Sequence, residues 1–448
     1  MKKFAIGILI ALMLMSVSAF ATQQRVHVMG DNDMIILDDY NVKRFPGRIN
    51  NYPDLALGEF SPGGDGFFDN EFYEFGVHWQ FNEDNPWVLG TYISTWPRFG
   101  PTAHARFPNS SEVELANLNF LFNHEFFESK SSDLAGGPGD FGVPRRIELI
   151  YGRQLGGHNF GFSLDIVRAS REFERDSLTI APNTPGVFAK QSFSQFTFGL
   201  GLTEGTSGQW DVALNFLIGS WTDENAAGLE VTKPNGYFDA YLQGRYFWVR
   251  NPKVTLVPHA KVAIGKRGVD ENIYFSNTDT LLYVDTWESK RTAIDLGIGM
   301  NYTTGPDMLA VLDFGFMLNS VKWEFTDTDT SSTSFNEEEK YTTLMAPYVK
   351  IGFEGEVFSW MDFRAGGSTT LWINQEKSEF TDADPTENDF TEKLDFPMNR
   401  LWLGTGFHFG KLHVDTYMDP EILINGFNFI SGNSEELNFA VSVLYELF

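Results

Sequence analysis

Stretches such as FYEFGVHWQF (72–81) and QWDVALNFLIGSW (209–221) place bulky apolar side chains at every second position, with small or polar ones between. A period of two is strand geometry, because successive side chains leave opposite faces of the pleat. Such runs recur along the chain in pairs. The spacer within a pair is brief: NEDN (82–85), GGH (156–158), TEGTSG (203–208), Asn251-Pro252, TTGPD (303–307), GEVF (355–358) and Gly410-Lys411. The spacers between pairs are long and polar, at 97–144, 170–190, 222–235, 266–289, 326–340, 374–396 and 422–436. The last run, ELNFAVSVLYELF (436–448), lacks a hairpin partner, as does the first, DLALGEF (54–60). Two single strands at opposite ends of an antiparallel series can close it on itself. The pattern predicts an all-β, antiparallel transmembrane barrel of about sixteen strands, with fourteen as the alternative count. Counted back from the last strand, every short turn falls on one side, the periplasmic one. No blade-length repeat supports a propeller.

The beginning of the chain fits export. MKK is a short basic region, the run after it is apolar and uncharged, and Ala19 and Ala21 stand in the A-x-A spacing of a signal-peptidase site. The expected organisation is a signal peptide over 1–21, a plug-like segment over 22–52 and the barrel over 53–448. The chain lacks cysteine, which excludes a thiolate metal site, a cysteine nucleophile and a lipid-anchored cysteine. A net charge of −27 argues against nucleic acid as a partner. The predicted location is a bacterial outer membrane. The expected partners are its lipid bilayer, the barrel-assembly machinery and small solutes. The final strand resembles the carboxy-terminal signal by which that machinery recognises barrels: Phe448 is present, although Val443, Tyr445 and Leu447 alternate one residue out of phase with it.

If the bulky faces meet lipid, the opposite faces line the lumen. That assigns Glu74, Asp239, Arg245, Lys261, Arg291, Asp295, Lys350, Asp362, Arg364 and Arg400 to the interior, with both charge signs represented. A charged lining needs water or mutual pairing, since an isolated buried ion is costly. The expectation is a hydrated channel for passive, porin-like passage of small hydrophilic solutes. Within 97–144, Ser110 or Ser111 before Glu114 and then Leu115, Leu118, Phe122 and Phe126 have the spacing of a capped helix that could narrow the mouth. The acidic stretches TDTDTSSTSFNEEEK and EKSEFTDADPTENDFTEK read as solvated loops, because DADPTEND lacks the glycine and final glutamate of an EF-hand. No metal or cofactor is expected. His413 and Asp415 share a strand face and His408 lies across the turn, but with no nucleophile or metal placed beside them the chain is not read as an enzyme.

The segment VHVMGDNDMIILDDYNVKRFPGRINNYPDL carries Met29-Gly30, Asp38-Asp39 and Pro46-Gly47 in order. It resembles the amino-terminal signature of the FadL-like outer-membrane superfamily, with Phe45 where that family has Asn and Gly47 where it has Ala. The resemblance implies that these residues form a plug-like piece inside the barrel. In that family the cargo is hydrophobic, which makes uptake of hydrophobic compounds the first alternative function. It would need an apolar pocket near Phe45 and Ile49 and a gap toward lipid. A non-transporting surface or scaffold barrel is the second.

Overall fold

A computed structural model describes residues 22–30, 32–61, 72–82, 86–95, 145–175, 187–204, 209–224, 230–274, 281–305, 308–327, 335–381, 390–418 and 439–447. Their strands close into one sixteen-strand antiparallel barrel. The first half comprises β1 (Leu55–Ser61), β2 (Phe72–Phe81), β3 (Trp87–Thr95), β4 (Arg145–Leu155), β5 (His158–Arg175), β6 (Val187–Glu204) and β7 (Trp210–Glu224). β8 (Glu230–Tyr246) and β9 (Trp248–Asn251) make one stave, interrupted at buried Phe247. The second half comprises β10 (Val254–Tyr274), β11 (Leu281–Gly305), β12 (Met308–Asp327), β13 (Phe335–Phe358), β14 (Met361–Thr381), β15 (Phe390–Phe409), β16 (Leu412–Met418) and β17 (Phe439–Glu446). β17 pairs with β1 from Leu55↔Glu446 to Phe60↔Val441, and β1 continues to β2. The two single runs at the ends of the series therefore seal the wall. Closure satisfies every edge, which is the condition for placing a sheet in lipid.

The two faces separate as the alternation requires. On β7, Val212, Leu214, Phe216 and Ile218 are exposed on the outside while Asp211, Ala213, Asn215 and Leu217 are buried. The outward series on β11 runs from Tyr302 through Ile298 and Leu296, then changes to Lys290 and Glu288. There Lys290 bridges Glu288 at 2.7 Å and Glu324 at 3.2 Å, Lys266 meets Glu288 at 2.5 Å, and Lys322 meets Glu324 at 2.7 Å. Such exposed pairs contribute little each. Their outward position marks where the wall leaves hydrocarbon. At the turn end, Phe81 stacks on Trp87 at 4.1 Å and Trp360 lies against Phe358 and Phe407, as in an interfacial aromatic girdle. The apolar band between these limits makes the chain an outer-membrane barrel.

Several segments read as loops prove to be wall. β10 extends to Tyr274, β11 begins at Leu281, and β13 begins at Phe335, so much of 266–289 and 326–340 is paired strand. Twenty-five residues of β11 far exceed the ~9–11 that cross a bilayer. Above the lipid both faces are polar, so the apolar alternation that marks a strand disappears while backbone pairing continues. The leader at 1–21, the helix expected near 111–126, Phe448, and the central parts of both acidic stretches, 328–334 and 382–389, lie outside the described residues.

Among the described residues, the pairing of β7 with β8 has a gap longer than the bulges elsewhere in the wall. β7 and β8 are in register down to Ile218↔Phe238 and resume only at Asp223↔Thr232. Pro234, which has no N–H to give, and Gly236, at φ 90°, lie where β8 is out of register with β7, while Pro234 keeps its place opposite Val269 of β10.

Candidate functional site

Residues 22–52 lie inside the barrel. They form a short helix α1 (Gln23–Val28) and two 3-10 helices, Asp39–Lys43 and Pro46–Asn51. Pro46 opens the second helix, where its missing N–H costs nothing. The Asp38 carboxylate accepts from Asn41 N–H at 3.2 Å and so caps the first. Met29, Ile35, Ile36 and Phe45 are fully or almost fully buried and pack with Ala213, Phe247, Val257 and Val311 of the wall. Ile49 and Val42 join Val88, Tyr92 and Ile150 on the other side.

This intimacy depends on wall positions with no side chain. Gly90, Gly152, Gly161, Gly201, Gly299, Gly352, Gly366 and Gly404, on eight different strands, all occupy inward positions where a Cβ would collide with the segment. At Gly161 and Gly201 the obstruction is the backbone of Pro46 and Gly47; at Gly352 and Gly366 it is that of Val28 and Met29. Gly30 itself takes φ 84° and lies against the Ile351 carbonyl, so no larger residue fits there. Gly47 packs between the Asn159 carbonyl and Thr203.

Three groups of charges then fix the segment to the wall. Arg25 grips Glu354 with two hydrogen bonds, 2.6 Å from Nε and 2.8 Å from Nη2. Glu354 also accepts from Arg364 Nε at 2.5 Å, and Arg364 continues to Asp415, which accepts from the Thr22 hydroxyl at 2.7 Å. In the second group, Asp211 accepts from Arg48 Nε at 2.7 Å and Nη2 at 2.9 Å, from Thr203 at 2.7 Å and from Arg245 at 2.6 Å. Arg245 donates in turn to the Asp33 carbonyl at 2.8 Å, the Ile36 carbonyl at 3.1 Å and the Asn41 side chain. Its guanidinium lies over Phe45 at 4.5 Å and Phe247 at 5.0 Å. In the third, Lys43 pairs with Glu74, beside Arg146, which bridges Glu148 and Asp165 at 2.8 Å each.

The interior residues expected from the sequence therefore divide. Glu74, Arg245 and Arg364 hold the segment or the carboxylates that hold it. Asp362 accepts from His408 at 2.7 Å and lies 3.7 Å from Arg364. Away from the segment, Asp239 is buried at the register position of Gly265, Lys261 lies over the Tyr241 ring, and Arg291 donates to Asn319 at 3.1 Å. Asp295 accepts from Tyr348 at 2.9 Å, Lys350 lies over the same ring, and Arg400 is half-buried on β15. The sequence reading missed Arg25, Lys43 and Arg48. The available signal was charge: a segment read as lumenal carries four basic side chains, of which Arg44 meets Asp33 of the segment itself while Arg25, Lys43 and Arg48 meet acids on inward faces of the wall.

The lumen acts strongly on a carboxyl of the segment itself. Burial holds Asp38 at about 7, up from 3.8, against the opposing pull of Arg25 and Arg245 and the Asn41 N–H, with Asp33 adding to the rise. Its second oxygen has no hydrogen-bond partner among the described residues. A raised acid favours the seated state fully below pH 4, and that contribution is lost as pH rises through 7; it amounts to about 4 kcal/mol at most. Lys43 is lowered from 10.5 to about 8 by burial, so its contribution changes only above pH 8. Amide exchange over 39–51, corrected for intrinsic rates, is therefore expected to be slower at pH 5 than at pH 7.5. In Asp38→Asn that difference should vanish, with protection at pH 7.5 rising to the acidic value.

No protein-family model and no curated protein matches the chain. Solved structures do, at the level of the barrel. The toluene transporter TodX of Pseudomonas putida, a FadL-like barrel, is 9% identical over 96% of this chain and 98% of its own, with a TM-score of 0.39. The ferric yersiniabactin uptake receptor FyuA of Yersinia pestis is 8% identical over 88% and 81%, with a TM-score of 0.36. CdiB of Acinetobacter baumannii is 10% identical over 87% of this chain, which spans 59% of that protein, with a TM-score of 0.35.

Proposed function

We propose that the chain is a gated outer-membrane conduit for small hydrophilic solutes, with residues 22–52 as the gate. The observation that carries this reading is the set of three ion-pair groups that tie one lumenal segment to three separate sectors of the wall. A segment so placed closes the periplasmic end of the lumen while it is seated, so passage follows its release. The inward faces beyond it carry Gln195, Thr197, Asn215, Arg291 and Asn319, side chains suited to water and polar solutes.

One observation favours a hydrophobic cargo instead. Leu217, Tyr241, Ala263 and Ala293 form an inward apolar cluster, beside the pairing lapse between β7 and β8. Phe45 and Ile49, however, are packed core residues at 0% exposure, so the apolar surface near them is already occupied.

Planar-bilayer recording of the refolded chain tests the proposal. The expected trace is mostly closed, with brief openings. In those openings Arg291→Gln should move the reversal potential toward cation preference, since removing a lumenal positive charge lowers the barrier to cations. Steady large openings of the unmodified chain would refute the gate. Openings indifferent to Arg291→Gln would remove the hydrophilic path and turn attention to apolar ligands.

A further inference from the structure

Thr22 has an unusual position for a residue that follows the expected signal-peptidase site. It is only 4% exposed, and its hydroxyl donates to Asp415 deep in the barrel. It also borders a small cavity of about 10 Å³, room for one water-sized group. Asp39 and Lys43 of the first 3-10 helix, Glu59 of β1 and Ser442 of β17 also line that cavity. Ser442 is fully buried, and its hydroxyl has no hydrogen-bond partner among the described residues. The Lys43 ammonium in this lining is paired with Glu74; beside it two carboxylates and a hydroxyl around a space of this size suit a small cation with three donors, with Asp415 close by on the Thr22 side chain.

We infer that this cavity is the docking site of the α-ammonium group that signal-peptide removal creates on Thr22. The inference rests on the reading that Ala21–Thr22 is the bond cut. Hydrolysis of that bond consumes one water: its hydroxyl joins the Ala21 acyl carbon, its proton goes to the Thr22 nitrogen, and the resulting amine takes up a further proton at neutral pH. An amide N–H, with one donor and no charge, becomes a cation with three donors. Glu59, Asp39 and Ser442 then receive the chain end, while Asp415 keeps the hydroxyl of the same residue. Through Asp415 the new charge adjoins Arg364, Glu354 and Arg25, the group that holds α1. Export thus completes the seat: a chain still carrying its leader lacks the fourth attachment, and processing adds it only after the leader has done its work. The site belongs to the chain itself and takes a primary ammonium.

The test compares full-length mature chains refolded in the same detergent, one beginning at Thr22 and one with Gly-Gly placed before it. Acylation of the α-amine by acetic anhydride is followed by peptide mass, and hydrogen exchange is followed over residues 23–30. In the Thr22 form the folded amine should react at least about tenfold more slowly than in urea, the scale expected of a charged hydrogen bond. In the extended form the amine should react at the unfolded rate, and the amides of α1 should exchange about tenfold faster. Glu59→Gln and Ser442→Val, which keep the natural start, should each raise the acylation rate, so the answer does not depend on the extended chain folding. Equal rates in folded and urea-treated Thr22 chain would overturn the docking site. The intact mass of protein extracted from the membrane separates the two premises: a start at Thr22 supports the natural latch, and any other start overturns it even if the refolded chain docks its amine.

Discussion

In an Arg245→Ala variant the lumenal segment is expected to come loose while the barrel stays folded. Arg245 is the point where wall and segment share most polar contacts. One guanidinium serves Asp211 on β7, two carbonyls and a side chain of the segment, and two aromatic faces. Alanine leaves the Asp33 and Ile36 carbonyls without this donor in a dry site and takes one of two arginines from Asp211. Breaking a buried charged group of this kind costs about 3–5 kcal/mol. Lysine should rescue little, because a single ammonium cannot hold the same fork of directions. The wall has no such dependence. β7 and β8 are paired by backbone from Trp210↔Tyr246 to Ile218↔Phe238, and truncating an inward side chain leaves those bonds in place. The expected result is therefore split. Trypsin should cut after Arg44 and Arg48 at least tenfold faster, and bilayer recordings should change from brief to sustained openings, while the folded band on a cold gel stays where it was. Asp211→Asn should give a smaller loss, and the double variant less than the sum, since both break one network. A variant as quiet and as protected as the parent would remove Arg245 from the seat.

The fold was legible because lipid imposes a strict rule. Where the outside is hydrocarbon, each stave must alternate, and Val212, Leu214, Phe216 and Ile218 against Asp211, Ala213 and Asn215 state that rule plainly. Beyond Lys290 and Glu288 the rule lapses, so the alternation does not mark the upper wall as strand. The same alternation placed Glu74, Arg245 and Arg364 inside but could not say what they face. Their partners are set by closure of the barrel around a distant segment: Arg48 reaches Asp211 over 163 residues, and Arg25 reaches Glu354 over 329. Nothing local in either stretch encodes such a pair. Periodicity gives no placement for residues 22–52; the expectation of a plug-like piece came from the resemblance at Met29-Gly30, Asp38-Asp39 and Pro46-Gly47 alone.

The inward glycines were visible as well, had their phase been followed. Gly90 and Gly152 stand at lumenal positions of WVLGTY and IELIYGRQ, and an inward glycine is a place where something approaches. This gives the second large prediction. Gly161→Val and Gly366→Val should each expel the segment, because the new side chain would lie on backbone, that of Pro46 and Gly47 in one case and of Val28 and Met29 in the other. A crowded side chain can rotate away, whereas a crowded backbone must move as a body. Of the two bodies, the strands are held on both edges, Gly161 between Gly152 and Gly201, and Gly366 between Gly352 and Trp402. The segment is the one that yields. Overpacking costs about 1–3 kcal/mol where neighbours can adjust, and the cost here should lie at or above the top of that range. Exchange over 39–51 for Gly161→Val, and over 23–30 for Gly366→Val, should approach unfolded rates. Gly355→Ala, whose added carbon would meet movable side chains, the Phe353 ring at 3.1 Å and Met308 at 4.0 Å, should leave both stretches protected. A chain begun at Pro53 isolates the cause. With the segment gone, valine at 161 has an empty lumen to point into and a strand that suits its branched side chain, so the barrel should tolerate it without loss. If Gly161→Val weakens the shortened barrel as much as the whole protein, the glycine serves the wall, and the ring is no seat.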